Sequence, residues 1–182
     1  MTDRLSGKRA VVTGAAQGIG RGIAAAFVAE GAEVLLVDVD AARLAATAQE
    51  LGQEGLVADV SRKTEIDRIF ARVAAKWGVL DILVNNAGVT HAAELDDLAE
   101  EDFDRVFAIN LKSALWATQA AARLMGEGSA IVNMSSVNAV LAIPNQIPYA
   151  ISKGAMKQLP TSPRSRSLPG ASGSTRSGRA RS

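Results

Sequence analysis

Thr13-Gly14-Ala15-Ala16-Gln17-Gly18-Ile19-Gly20 is the stretch that decides the fold. It follows a short apolar run, Arg9–Thr13, and opens an amphipathic segment, Gly18–Glu30, whose Ile19, Ile23, Ala26 and Phe27 share one helical face. Glycines between a strand and a helix have a chemical use: they permit the tight turn, let backbone approach a pyrophosphate, and let helix pack on strand. The helix N-terminus then offers unpaired N–H groups and the positive end of its dipole to an anion. Gly14, Gln17, Gly18, Ile19 and Gly20 are therefore the candidate phosphate-side residues.

Outward from this turn, apolar runs and helical patterns alternate. Gly31 closes the first helix, and Glu33–Asp38 predicts a second strand. A helix over Ala41–Leu51, a strand over Leu56–Asp59 and a helix running to Trp77, with Ile66, Ile69, Phe70 and Val73 in register, come next. Leu80–Val84 predicts a fourth strand, two helical stretches cover about Leu95–Val106 and Ile109–Met125, and Ala130–Met134 predicts a fifth strand. A helix begins near Tyr149. Such alternation predicts an α/β fold, a doubly wound parallel sheet with helices on both faces. No internal repeat is visible.

Composition narrows the chemistry. The chain has 182 residues, 48% of them apolar, enough for one domain with a sizeable core. With no cysteine, disulfides, thiolate metal sites and cysteine nucleophiles are excluded, and a single histidine, His91, argues against His-based metal sites and a Ser/His/Asp triad. His91 is read as a solvent-exposed loop residue, Trp77 and Trp116 as core or subunit contacts. Five of the 20 basic residues and none of the 19 acidic ones fall in residues 160–182, so the rest of the chain is mildly acidic. That balance predicts no nucleic-acid partner. No apolar run is long enough for a membrane span and the first residues lack a signal-peptide core, so a cytoplasmic protein without a membrane partner is expected.

The ends of the strands carry the chemistry. Asp38 closes the second strand, 18 positions after Gly20, where a carboxylate accepts hydrogen bonds from adenosine ribose hydroxyls and repels a 2′-phosphate. That favours NAD over NADP. Tyr149 is the only tyrosine, and Lys153, four residues on, shares its helical face. A phenol alone holds its proton too tightly at neutral pH, and a nearby ammonium group favours the phenolate. The pair can thus pass a proton to a carbonyl oxygen, or take one from an alcohol.

Taken together, T-G-x-x-x-G-x-G at 13–20, Asp59-Val60 after the third strand, Asn85-Asn86-Ala87-Gly88 after the fourth, Asn133-Met134-Ser135-Ser136 ending the fifth and Tyr149…Lys153 make residues 5–159 resemble the short-chain dehydrogenase/reductase family. The resemblance implies a Rossmann-like, NAD(P)-binding oxidoreductase acting on a small-molecule alcohol or carbonyl substrate. It implies that Asp59, with Val60, meets the adenine, that Asn86 steadies the central sheet, and that Ala87 and Gly88 leave room for cofactor. By the same resemblance Ser136 orients the substrate oxygen, Tyr149 moves the proton, Lys153 also bonds the nicotinamide ribose, and Asn110 holds a water on the lysine-linked relay. Ser135 is set aside because strand alternation turns it the other way. Gln17 stands where NADP-preferring relatives carry a basic residue, and Val39 is no arginine, which again favours NAD. Full-length relatives form homo-oligomers through the long middle helix and the Tyr/Lys helix.

The pattern breaks at Pro160. Residues 160–182 hold seven serines and five arginines and are expected to form a disordered tail to a 1–159 dinucleotide-binding and catalytic domain that lacks the family's last strands. Without those strands one side of the sheet is expected to be an unpaired edge. Ala171–Ser182 can be encoded by a string that, read two nucleotides later, gives Val-Arg-Val-Asn-Ala-Val-Gly-Pro-Gly-Ser, which resembles the family's sixth strand and Pro-Gly loop. A frameshift after about residue 159 is the hypothesis this suggests; a gene with no open downstream frame in that register would refute it. The competing reading of the tail is an evolved arginine-rich segment binding nucleic acid or anionic membrane; the alternative to an active oxidoreductase is a catalytically impaired NAD-binding fragment of one.

Overall fold

The computed structural model describes residues 3–141 and 143–162. Five parallel strands, β1 Arg9–Thr13, β2 Glu33–Asp38, β3 Glu54–Val57, β4 Ile82–Asn85 and β5 Ala130–Asn133, lie in the order β3-β2-β1-β4-β5. Helices α1 Gly18–Ala29, α2 Ala41–Leu51, α3 Lys63–Lys76, α4 Glu100–Phe107, α5 Ser113–Ala121 and α6 Ile147–Met156 connect or follow them. The strand order reverses between β1 and β4, and a crevice opens at the carboxyl ends of the strands there.

Alternation along β1 and β2 divides the core. Val11, Leu35 and Val37 face Ile66, Ile69, Phe70 and Val73 of α3 and Ala117 of α5. Ala10, Val12, Val34 and Leu36 face Ala24 of α1 and Leu44 of α2. Most of these side chains are fully buried, and each large one contributes roughly 1.5–3 kcal/mol by leaving water. Trp77 and Trp116 pack, partly buried, against the first cluster.

Several boundaries differ from the sequence expectation. The third strand, expected at Leu56–Asp59, runs over Glu54–Val57. Its register pairs Leu35 with Glu54 and Asp38 with Val57, so Ala58 and Asp59 lie beyond the end of β2 and have no ladder partner. The fourth strand begins at Ile82, because its pairing with β1 starts at Ala10. Leu95–Asp97 is only a single tight turn, while α4 and α5 are joined without a break by a π-helical turn, Ala108–Lys112. Among the described residues no helix is long and apolar enough to cross a membrane, and no cluster of potential metal ligands occurs.

The outer edge of β5 is not wholly bare. The first residues past Leu159 meet it: the Ile131 N–H donates to the Thr161 carbonyl at 2.9 Å, and Asn133 Nδ2 donates to the Pro160 carbonyl at 3.2 Å. Residues 163–182, most of the expected tail, lie outside the described residues.

Candidate functional site

The phosphate-side turn follows from backbone limits. Gly14 and Gly18 adopt φ of +66° and +57°, which favours glycine. A Cβ on Gly20 would lie 2.0 Å from the Gly14 carbonyl oxygen, so only glycine fits. Gln17 precedes α1 without capping it through its side chain, and no acidic residue occupies the first turn. The N–H groups at the start of α1 are thus left to an anion.

Thr13 locks this turn to the end of β4. Its hydroxyl donates to the Val84 carbonyl at 3.3 Å and accepts from the N–H groups of Asn86 and Ala87 at 3.0 and 3.1 Å. Asn86 Nδ2 in turn donates to the Thr13 and Gly14 carbonyls at 2.9 and 3.1 Å.

Between these loops lies a cleft of about 440 Å³. Of the residues singled out in the sequence, Gly14, Gln17, Ile19, Gly20, Asp38, Asp59, Val60, Asn86, Ala87 and Gly88 line it. Val39, weighed in the sequence only for not being an arginine, lines it too, and so do Ala58, Val89 and Ile109, which were not anticipated; each is the sequence neighbour of a residue that was. Asp38 sits at the rim, with Oδ2 accepting from the Ala16 N–H at 2.9 Å and Oδ1 from the Asp40 N–H at 3.1 Å. Asp59 Oδ1 accepts from the Ser61 N–H and hydroxyl, a turn that precedes α3, whose capping residue is Arg62.

At the far end of the cleft, Gly88 is the joint between the cofactor-side and proton-transfer candidates. A Cβ placed there would be 3.3 Å from Asn110 Oδ1 and 3.4 Å from Lys153 Nζ. Asn110 is fully buried in the π-helical turn, a local widening of the helix frequent at functional sites. Its Oδ1 accepts from the Val89 N–H at 2.8 Å, and its Nδ2 donates to the Val89 carbonyl at 2.9 Å and to Ser152 Oγ at 3.0 Å. Ser152, buried, donates to the Tyr149 carbonyl at 2.8 Å, tying the middle helix to α6.

Lys153 is 4% exposed; its Nζ donates to the Met134 carbonyl at 2.7 Å. Burial pulls its ammonium pKa below the ordinary lysine value. Tyr149 is half-buried, one helical turn earlier in α6. Ser135, just past the end of β5, donates to the Lys153 carbonyl at 2.9 Å. Ser136 caps the turn Val137–Ala139: its Oγ accepts from the Asn138 N–H at 3.2 Å, and the buried Asn138 side chain donates to Gln146 Oε1 at 2.7 Å. Gln146 is the residue on which α6 begins, so a short polar chain ties the Ser136 turn to the start of the helix that carries Tyr149. Ser152, Asn138 and Gln146 escaped the sequence reading; only Ser152, adjacent to Lys153, carried a signal of position.

His91 departs from expectation. Rather than a free loop side chain it is 23% exposed, with Nε2 3.4 Å from Asp102 Oδ2 on α4.

The arrangement is a glycine-lined anion cradle, a carboxylate at one rim, and a buried ammonium with a phenol at the opposite end. A dinucleotide fits it: the close approach at Gly20 and the uncapped α1 amides suit its pyrophosphate, and Asp38 suits a ribose diol.

Comparison with known proteins gives the family. A family model described as short chain dehydrogenase matches residues 8–167. Sorbitol dehydrogenase of Cereibacter sphaeroides is 44% identical over 138 residues, covering 73% of this chain and 54% of that protein. D-threitol dehydrogenase of Mycolicibacterium smegmatis is 41% identical over 157 residues, covering 82% and 60%. Among solved structures, a short chain dehydrogenase from Burkholderia cenocepacia in complex with NADP is 39% identical, with a TM-score of 0.80 over 84% of this chain and 65% of that one. The chain thus spans a little over half the length of the curated relatives it matches.

Proposed function

This chain belongs to the short-chain dehydrogenase/reductase family, and from that premise we propose that it is an NAD(H)-dependent oxidoreductase of secondary alcohols and the matching carbonyls. Residues 1–159 would form its nucleotide-binding and catalytic unit. When bound, the nicotinamide supplies the hydride acceptor or donor. The residues supply everything else. Gly14, Gly18, Ile19 and Gly20 hold the pyrophosphate on backbone N–H groups, Gln17 flanks it, and Asp38 accepts from the adenosine ribose. Asp59, Val60, Asn86, Ala87 and Gly88 wall the cleft. Ser136 donates to the substrate oxygen, and Tyr149 accepts the hydroxyl proton of an alcohol or returns it to a carbonyl. Lys153, held by the Met134 carbonyl and close to Asn110 through the space left by Gly88, supports the phenolate and grips the second ribose.

The observation that carries this reading is the convergence of Asn110 and Lys153 on the side-chain-free space at Gly88, at the end of a glycine-lined cleft. The relatives named for sorbitol and D-threitol make polyols the first substrates to try. Purified chain 1–182 given NAD and a panel of secondary and sugar alcohols should generate NADH, and Tyr149→Phe should abolish it. Binding of NAD without turnover would instead favour a catalytically impaired nucleotide-binding fragment. Absence of binding would sink the cofactor assignment as well.

A further inference from the structure

The rim of the cleft beside Asp38 contains a cation that the cofactor-binding set above leaves out. Arg43, on the first turn of α2, donates from Nη1 to Gln17 Oε1 at 2.8 Å. Gln17 lines the cleft with Asp38, so the guanidinium stands one amide away from the adenosine ribose position. Its other partner is weakly placed: Nε lies 3.5 Å from Asp40 Oδ2, with the Arg43 side chain 61% exposed. The backbone around it is fixed, because Asp40 Oδ1 accepts from the Arg43 N–H at 3.0 Å and the Thr47 hydroxyl donates to the Ala16 carbonyl at 2.9 Å. A positioned backbone with a loosely held, exposed guanidinium is the state from which a planar fork moves to a phosphate, since solvated pairs hold little energy and arginine matches phosphate oxygens two at a time.

We propose that Arg43 is a specificity-determining residue of the adenosine end: a latent partner for a 2′-phosphate, engaged by Gln17 and Asp40 and masked by the carboxylate of Asp38. This rests on the reading of the cleft as a dinucleotide site. Asp38 repels the 2′-phosphate where Arg43 would attract it, so the unmodified chain prefers NADH. Removing the carboxylate is then enough to admit NADPH, with no new arginine introduced.

The test is equilibrium binding, followed by the fluorescence of NADH and NADPH, on the parent, Asp38→Ser, Arg43→Ala and the double variant, with Asp38→Asn as the variant that keeps an acceptor for the Ala16 N–H. Removing the charge of Asp38 should tighten NADPH by about tenfold or more, and adding Arg43→Ala should erase that gain while NADH binding changes only slightly. The gain should also fade in high salt. Equal NADPH affinity with and without Arg43 in the Asp38 variants overturns the proposal while leaving the cleft assignment standing. Failure of the parent to bind either nucleotide overturns both.

Discussion

Lys153 Nζ lies 5.8 Å from the centre of the Tyr149 ring, and burial of that ammonium depresses its pKa. The unfolded chain therefore holds the lysine proton more tightly than the folded one. The folded state carries that penalty while the group is charged, and recovers stability as pH climbs from the depressed value toward about 10.4. Lys153→Met should accordingly melt above the parent near neutral pH, with the gap closing as pH approaches the unfolded lysine value, while alcohol oxidation falls by about 10²-fold or more. Circular-dichroism melts across pH alongside initial rates check both halves. A variant that melts lower at neutral pH would contradict this account.

Asn110 carries three hydrogen bonds at zero exposure. Asn110→Ala leaves the Val89 N–H and carbonyl unsatisfied and should cost about 2–4 kcal/mol in urea unfolding. Asn110→Asp retains Oδ1 but loses the donor to both the Val89 carbonyl and Ser152 and should also be destabilised, increasingly so as the carboxyl ionises. Stability within error of the parent for the alanine variant would show that the π-helical turn does not depend on this side chain.

Two glycines of α1 should respond in opposite directions. Gly20→Ala places a methyl 2.0 Å from the Gly14 carbonyl and should abolish NAD binding, read by calorimetry. Gly22 is exposed, two residues on, and a methyl group there would meet nothing within 4 Å. Gly22→Ala should stabilise the chain by about 0.5–1 kcal/mol with binding intact.

The two adjacent serines should separate cleanly. Ser136→Ala should lower kcat by about 10²–10³-fold and, by removing the cap on the Asn138 N–H, cost about 1 kcal/mol of stability. Ser135→Ala removes the bond to the Lys153 carbonyl and should cost about 1 kcal/mol of stability with kcat within tenfold of the parent. Steady-state rates and denaturant midpoints on the same preparations decide it; the reverse pattern would exchange the two roles.

What the sequence disclosed was chiefly what backbone sterics and strand alternation dictate. The Thr13–Gly20 turn, the β2 bounds and the α2 bounds are local matters, and the structure agrees with each. The β3 bounds depended on register with β2, which a four-residue edge strand does not announce. The fusion of α4 and α5 through a π-helical turn depended on Asn110 finding Val89 and Ser152, partners 21 and 42 positions distant. The Arg43–Gln17 bond, 26 positions apart, left no mark in either residue's surroundings. Pro160 did change the composition, yet the carbonyls of Pro160 and Thr161 still serve β5, because backbone hydrogen bonding is indifferent to side-chain character.

The Thr13 hydroxyl, shared by Val84, Asn86 and Ala87, joins positions 71 to 74 residues apart. A nascent chain emerging from the ribosome therefore carries its glycine turn long before it carries anything to fasten it to. The nucleotide pocket matures only when the fourth strand has been synthesised and has slotted in beside the first, a non-local step of the kind that slows folding. Added dinucleotide should consequently protect the finished protein from unfolding without hastening the early stages of its formation.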